Sequence, residues 1–144
     1  MTVHVVNGPN LNLVGRREPD IYGDVSLEAF LGDLAAAFAG RCAVELFQSN
    51  HEGALVDYLH EVGFRPDTGV VLNAGALGHT SLALGDAIRA ITAPVVDVHI
   101  SNVHAREAFR QNSFVTPAAV GSVSGLGLEG YRYAVEYLCS RALT

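Results

Sequence analysis

Residues 70–100, VVLNAGALGHTSLALGDAIRAITAPVVDVHI, contain a complete strand–helix–strand unit. Val70–Asn73 is short and apolar and runs straight into Ala-Gly, as expected of a strand buried on both faces. Ser81–Ile91 reads as a helix, and Pro94 then opens a second apolar strand, Val95–Ile100. Two such strands joined through a helix run parallel. The pattern repeats on both sides. Val3–Asn7 reads as a first strand. Leu27, Phe30, Leu31, Leu34, Ala35 and Phe38 follow at helical spacing, between Ser26 as N-cap and Gly40 as stop. Ala43–Gln48 is a second strand and Gly53–Val62 a second helix. After residue 100 a short helix is expected around Val103–Phe109, a fifth strand over Ala118–Val123, and a last helix carrying Tyr131, Ala134, Val135, Leu138 and Cys139. Five strand–helix units with short connections predict one three-layer α/β domain over residues 1–144, with a parallel sheet of flavodoxin-like order 2-1-3-4-5 and helices on both faces.

The composition supports a globular reading. Of 144 residues 49% are hydrophobic and 17% charged, a balance that suits a packed core rather than a disordered chain. The net charge of −6 argues against a nucleic-acid or anionic-membrane surface. No stretch approaches the roughly 20 apolar residues of a membrane span, and the first residues read as a strand rather than a leader, so a cytoplasmic protein is expected. The two cysteines, Cys42 and Cys139, form no CxxC pair. A disulfide framework is expected to use more cysteines, and Cys139 lies on an apolar helical stripe, where buried packing is its expected role. All nine cations are arginine. Without lysine, Schiff-base chemistry, pyridoxal phosphate attachment and a P-loop are excluded.

In an open α/β sheet, ligands bind beyond the carboxyl ends of the strands. The segments there carry Asn7 and Asn10, then Arg16, Arg17 and Tyr22; Ser49, Asn50 and His51; Asn73 and His79; and His99, Ser101 and Asn102. Amides, imidazoles, guanidinium groups and a phenol therefore converge on one edge, without a thiol cluster or a run of carboxylates. That chemistry suits a hydroxylated, carboxylated small molecule anchored by arginine. The connection Gly8–Asp24 exceeds the ~12–15 residues usual for an unstructured loop and reads as a lid.

These motifs also carry a resemblance. NGPNLNLVGRREPDIYG (7–23), QSNHEG (48–53), NAGALGHTS (73–81) and VHISNVHARE (98–107) occur in the order and spacing of the type II 3-dehydroquinate dehydratases, and the likeness covers nearly the whole chain. It implies anti dehydration of 3-dehydroquinate to 3-dehydroshikimate through an enolate, in the shikimate pathway of aromatic amino acid biosynthesis, without metal or cofactor. Tyr22 would be the base, as a tyrosinate activated by Arg17, because a phenol of pKa ~10 needs a nearby cation to ionise at neutral pH. Asn10 would hold a water against the developing enolate, and His99, oriented by Asp97, would protonate the departing hydroxyl. Asn73, His79 and Arg110 would bind substrate oxygens, and Ile100 and Ser101 its carboxylate. Asp86 would enter from a neighbouring subunit of a homododecamer built as a tetramer of trimers. Three positions depart from the family pattern. Asp97 stands in place of glutamate, Gly78 in place of threonine, with a looser loop expected, and Gly85 in place of a bulkier residue, with a softer subunit contact expected.

Other readings are weighed against this one. Quinate breakdown would use the same reaction. A non-catalytic flavodoxin-like module for FMN needs a Ser/Thr-rich phosphate cradle in the first loop, which is absent, and a response-regulator domain needs paired acids and a lysine. Gly125-Leu-Gly127-Leu-Glu-Gly130 matches GxGxxG but lies too near the chain's end for a dinucleotide site, and is read as tight packing at a helix start. Six histidines without HExxH do not specify zinc. His4, His51, His60 and His104 are read as structural or surface residues, and Arg16 as solvated.

Overall fold

The computed structural model describes residues 1–16, 20 and 25–141. Its five strands are β1 (Thr2–Asn7), β2 (Ala43–Gln48), β3 (Thr68–Asn73), β4 (Val95–His99) and β5 (Gly121–Ser124). They pair in parallel in the order β2-β1-β3-β4-β5, the arrangement expected from the sequence. Among the described residues the helices that cross between or follow them are α1 (Leu27–Phe38), α2 (Glu52–Val62), α3 (Leu82–Ala90) and α4 (Glu129–Arg141).

Alternation along the central strands sends side chains into two cores. Val3, Val5, Val71, Val96 and Val98 meet α1 and α4 on one face. Val6, Val70, Leu72 and Val95 meet α2 and α3 on the other. Both faces of β1, β3 and β4 are thus covered, which is why these strands read as nearly continuous apolar runs. His4 is buried on the second face with Nδ1 2.9 Å from the Tyr58 hydroxyl. Burial pushes its imidazole below the ordinary histidine range, against the pull of Glu45.

The structure corrects the sequence reading in several places. Cys42, just before β2, and Cys139, in the last turns of α4, form a disulfide, with Cα atoms 6.4 Å apart. They are 97 residues apart in sequence, and only the docking of α4 beside the entrance to β2 brings them within bridging distance. The fifth strand starts later than expected, because Thr116–Ala118 turn as a 3₁₀ helix with Pro117 in the first turn. The helix expected near Val103–Phe109 is two 3₁₀ turns, Val103–Ala105 and Ala108–Gln111, the first capped by Asn102, whose side chain accepts from the His104 N–H.

Gly78 does not loosen its loop. The segment Gly75–His79 is a 3₁₀ turn, and the Gly78 carbonyl accepts from the Phe114 N–H at 2.9 Å. Gly85 is an internal packing residue: a Cβ there would lie 2.6 Å from the Phe114 carbonyl oxygen. The two glycines should therefore respond oppositely to alanine. Gly85→Ala is expected to destabilise the fold by about 1–3 kcal/mol through overpacking against backbone. At Gly78 the nearest neighbour of a Cβ is 3.7 Å away, so Gly78→Ala should be neutral or stabilise by up to about 1 kcal/mol. Urea unfolding of the two variants checks both signs.

Gly125-x-Gly127-x-x-Gly130 leads into α4, as expected. Gly130 is buried there, and its Cβ would touch Val123 and Val98.

Candidate active site

The carboxyl ends of β1, β3 and β4 open on a cavity of about 110 Å³. Pro9 and Asn10 wall it from the β1 side, Asn73, Gly75 and His79 from β3, and His99, Ile100 and Ser101 from β4. Arg106 and Arg110, from the two 3₁₀ turns that follow, close it with positive charge. A second cleft of about 340 Å³ runs behind His79 and His99 toward Thr116 and Ser122.

Each wall is fixed by its own set of contacts. The turn after β1 is pinned from β2: the Gln48 amide donates to the Gly8 carbonyl at 3.2 Å and to Asn50 Oδ1 at 3.1 Å. The Asn10 N–H donates to the same Asn50 oxygen at 3.0 Å, and Asn10 takes a left-handed φ of 68°, which asparagine tolerates better than most residues. Leu11 and Val14 then anchor the start of the long connection in the core beside α1.

Asp97 and His99 point to the same face of β4, two residues apart. Asp97 is fully buried, and its Oδ2 lies 2.9 Å from His99 Nε2. Although one methylene shorter than glutamate, the carboxylate reaches the ring. With Nε2 so engaged, Nδ1 is the His99 nitrogen left for a ligand. His79 stacks near this ring, with centroids 6.1 Å apart, and is held by a 2.7 Å contact between its Nδ1 and the Asn112 carbonyl.

The two arginines share an anchor. Arg110 Nε donates to Glu107 Oε2 at 2.7 Å, and Arg106 Nε lies 3.8 Å from the same oxygen. The Glu107 carboxyl is held below the usual range by its own backbone N–H and by Arg110. The carbonyl of Ile100 accepts from the Gly127 N–H in the turn after β5 at 3.0 Å, and that of Ser101 from the hydroxyl of Ser124, the last residue of β5, at 3.3 Å. The chemistry on offer is an imidazole–carboxylate pair, a second imidazole, amides and a pair of guanidinium groups, suited to a polyhydroxylated acid.

Comparison with known proteins bears on which acid. The family model for class II dehydroquinases matches residues 1–139. The chain belongs to the class II dehydroquinase family. It is 53% identical to the 3-dehydroquinate dehydratase of Chelativorans sp. (strain BNC1) over 142 residues, covering 97% of each. It is 57% identical over 135 residues to 3-dehydroquinate dehydratase 1 of Agrobacterium fabrum, covering 93% of this chain and 92% of that protein. The crystal structure of the type II dehydroquinase from Butyrivibrio crossotus superposes with a TM-score of 0.92 at 41% identity, covering 96% and 97% of the two chains.

Among the dehydroquinase residues named from sequence, Asn10, Asn73, His79, His99, Ile100, Ser101 and Arg110 line one cavity, with Asp97 directly behind His99. Asp86 does not join them. It is exposed on α3, 3.8 Å from Arg89. Arg17 and Tyr22 lie outside the described residues.

Sequence reasoning missed three residues. Arg106 was within reach, since it sits in the quoted 98–107 motif and precedes Arg110 by four. From the sequence alone Tyr131 reads only as a core residue of the last helix. It is fully buried, yet its hydroxyl donates to Asn7 Oδ1 at 2.7 Å and accepts from Asn73 Nδ2 at 2.8 Å. The Asn73 Oδ1 accepts from the Gly75 N–H at 3.1 Å, so this amide is fixed at both ends as it faces the cavity. Tyr131→Phe would leave two buried amide atoms without that partner. A loss of about 1–3 kcal/mol is expected in urea unfolding, with weaker substrate binding because Asn73 loses its clamp. The third, Thr116, bonds Asp97.

Proposed function

We propose that, in the dehydration of 3-dehydroquinate to 3-dehydroshikimate, Tyr22 removes the proton beside the ketone and His99 protonates the hydroxyl that leaves. The observation that carries this reading is the His99–Asp97 pair at the mouth of a cavity lined by Arg106 and Arg110. Asp97 takes the Nε2–H, so the proton delivered to the hydroxyl leaves from Nδ1. Arg17 keeps the Tyr22 phenol ionised, and Asn10 holds the water that stabilises the enolate oxygen. His79, Asn73 and Arg110 hold substrate oxygens. The Ser101 hydroxyl and the amides at Ile100 and Ser101 receive the carboxylate, since the carbonyls of both residues are already engaged.

Residues 1–144 act as one unit in this reading, with 8–24 as the flap that carries Arg17 and Tyr22. The chain resides in the cytoplasm and assembles as a dodecamer of four trimers, in which Asp86 reaches a neighbour's cavity. Exposure of Asp86 on α3 supports that assignment. No described helix is long and apolar enough to cross a membrane.

The test is an assay for the conjugated enone formed from 3-dehydroquinate, with sedimentation of the same sample. Turnover unaffected by borohydride and a dodecamer-sized particle are expected. Absence of product would overturn the reading of the site, and a monomer that turns over would overturn the role of Asp86.

A further inference from the structure

The segment between the second 3₁₀ turn and β5 carries two hydroxyls with no role so far. Thr116 Oγ1 lies 2.5 Å from Asp97 Oδ2, the oxygen that also meets His99 Nε2. The same hydroxyl is 2.9 Å from Ser113 Oγ. Thr116 has one proton, and a carboxylate can only accept it, so the hydroxyl pair orders itself with Ser113 donating to Thr116 and Thr116 donating to Asp97. Ser113 Oγ is fixed in turn by the N–H groups of Val115 at 3.1 Å and Thr116 at 2.9 Å. A directional chain therefore runs from backbone through two hydroxyls to the carboxylate behind His99.

Little else touches that carboxylate. Asp97 is fully buried, and its Oδ1 has no hydrogen-bond partner among the described residues. Its register partners are Leu72 on β3 and Ser122 on β5. The charged residues of α3, Asp86 and Arg89, are exposed and lie against each other. A short carboxylate with a single donor at the imidazole would be free to rotate about its own axis. The contact from Thr116 fixes its plane.

We propose that Thr116, ordered by Ser113, is a positioning residue for the elimination: it locks Asp97 in the orientation that presents His99 Nδ1 to the cavity. The proposal rests on the assignment of His99 as the acid, and it adds a residue that acts through Asp97 without touching substrate. Both the Thr116 hydroxyl and the His99 ring meet the same oxygen of Asp97, Oδ2.

The test is a double-mutant cycle on the full-length enzyme. Thr116→Val should lower kcat about tenfold, the low end of what a hydrogen bond to a charged group contributes, with KM changed less than about twofold because no substrate contact is lost. Thr116→Ser keeps the hydroxyl and should restore most of the rate. In an Asp97→Asn background, Thr116→Val should change kcat less than about twofold, because the carboxylate it acts through is gone. The imidazole N–H resonance of His99 should shift in Thr116→Val and return in Thr116→Ser. An equal loss in both backgrounds, or a folded Thr116→Val with unchanged kcat and resonance, would overturn the proposal. If Thr116→Val does not fold, Ser113→Ala takes its place, with a loss of about two- to fivefold expected only when Asp97 is present. No loss there would also overturn it. Full activity in His99→Ala would instead defeat the acid assignment. An inactive His99→Ala beside a fully active Thr116→Val would defeat this inference alone.

Discussion

His99→Ala is expected to lower kcat by about 10²–10⁴-fold, the usual worth of a positioned general acid, while KM moves little. The ring sits at the carboxyl end of β4 with Nε2 held by a buried carboxylate at 2.9 Å. That bond sets the orientation of the imidazole and leaves Nδ1 as the nitrogen available to a ligand. A hydroxyl leaves poorly as hydroxide, so loss of the proton donor falls on the elimination step rather than on binding. Arg110, Ser101 and Asn73, the residues proposed to bind substrate, stay in place around the cavity, which is why KM should be nearly unchanged. Steady-state kinetics at neutral pH check the prediction. A parallel fall in kcat and rise in KM of similar size would instead make His99 a binding residue.

Tyr22→Phe should be as damaging, with a loss in kcat of about 10²–10⁴-fold, for a different reason. Removing a proton beside a ketone needs a base, and a phenol becomes one at neutral pH only when a cation stabilises the phenolate. Arg17, five residues earlier in the same segment, is the cation assigned to that task. Phenylalanine keeps the ring and removes only the oxygen, so substrate affinity should survive. Arg17→Met should reproduce much of the loss at neutral pH and recover activity as the pH is raised toward the phenol's ordinary range. A rate for Tyr22→Phe within threefold of the parent enzyme would remove the phenol from the mechanism.

The fold was largely legible because its signal is physical and local. Val70–Asn73, Ser81–Ile91 and Val95–Ile100 show a buried strand, an amphipathic helix and a second buried strand in 31 residues, and the parallel order follows from that unit and its repeats. Legibility failed where long-range contact decides structure. The Cys42–Cys139 disulfide joins positions that no local pattern links. β5 was misplaced because Val120, exposed in the structure, still reads as part of an apolar run. Gly85 read as a weakened contact because the Phe114 carbonyl pressing on it lies 29 residues downstream.

The site divides along the same line. Residues that follow a strand's carboxyl end, such as Asn73 and His99, could be nominated from topology alone. Their supports could not. Tyr131 lies on an apolar helical stripe, and nothing in that stripe says its hydroxyl joins Asn7 to Asn73. Thr116 opens a short 3₁₀ turn before a proline, where spacing carries no information about an acid nineteen residues earlier.

The central claim is that base and acid act on opposite sides of an enolate, and isotope exchange separates them. With 3-dehydroquinate in heavy water, His99→Ala should still exchange the hydrogen beside the ketone while forming little product, because Tyr22 can make the enolate that then has no acid to complete elimination. Tyr22→Phe should lose exchange and product together. Loss of exchange in His99→Ala to the same extent as loss of product would contradict the account, by making His99 necessary for the proton abstraction assigned to Tyr22.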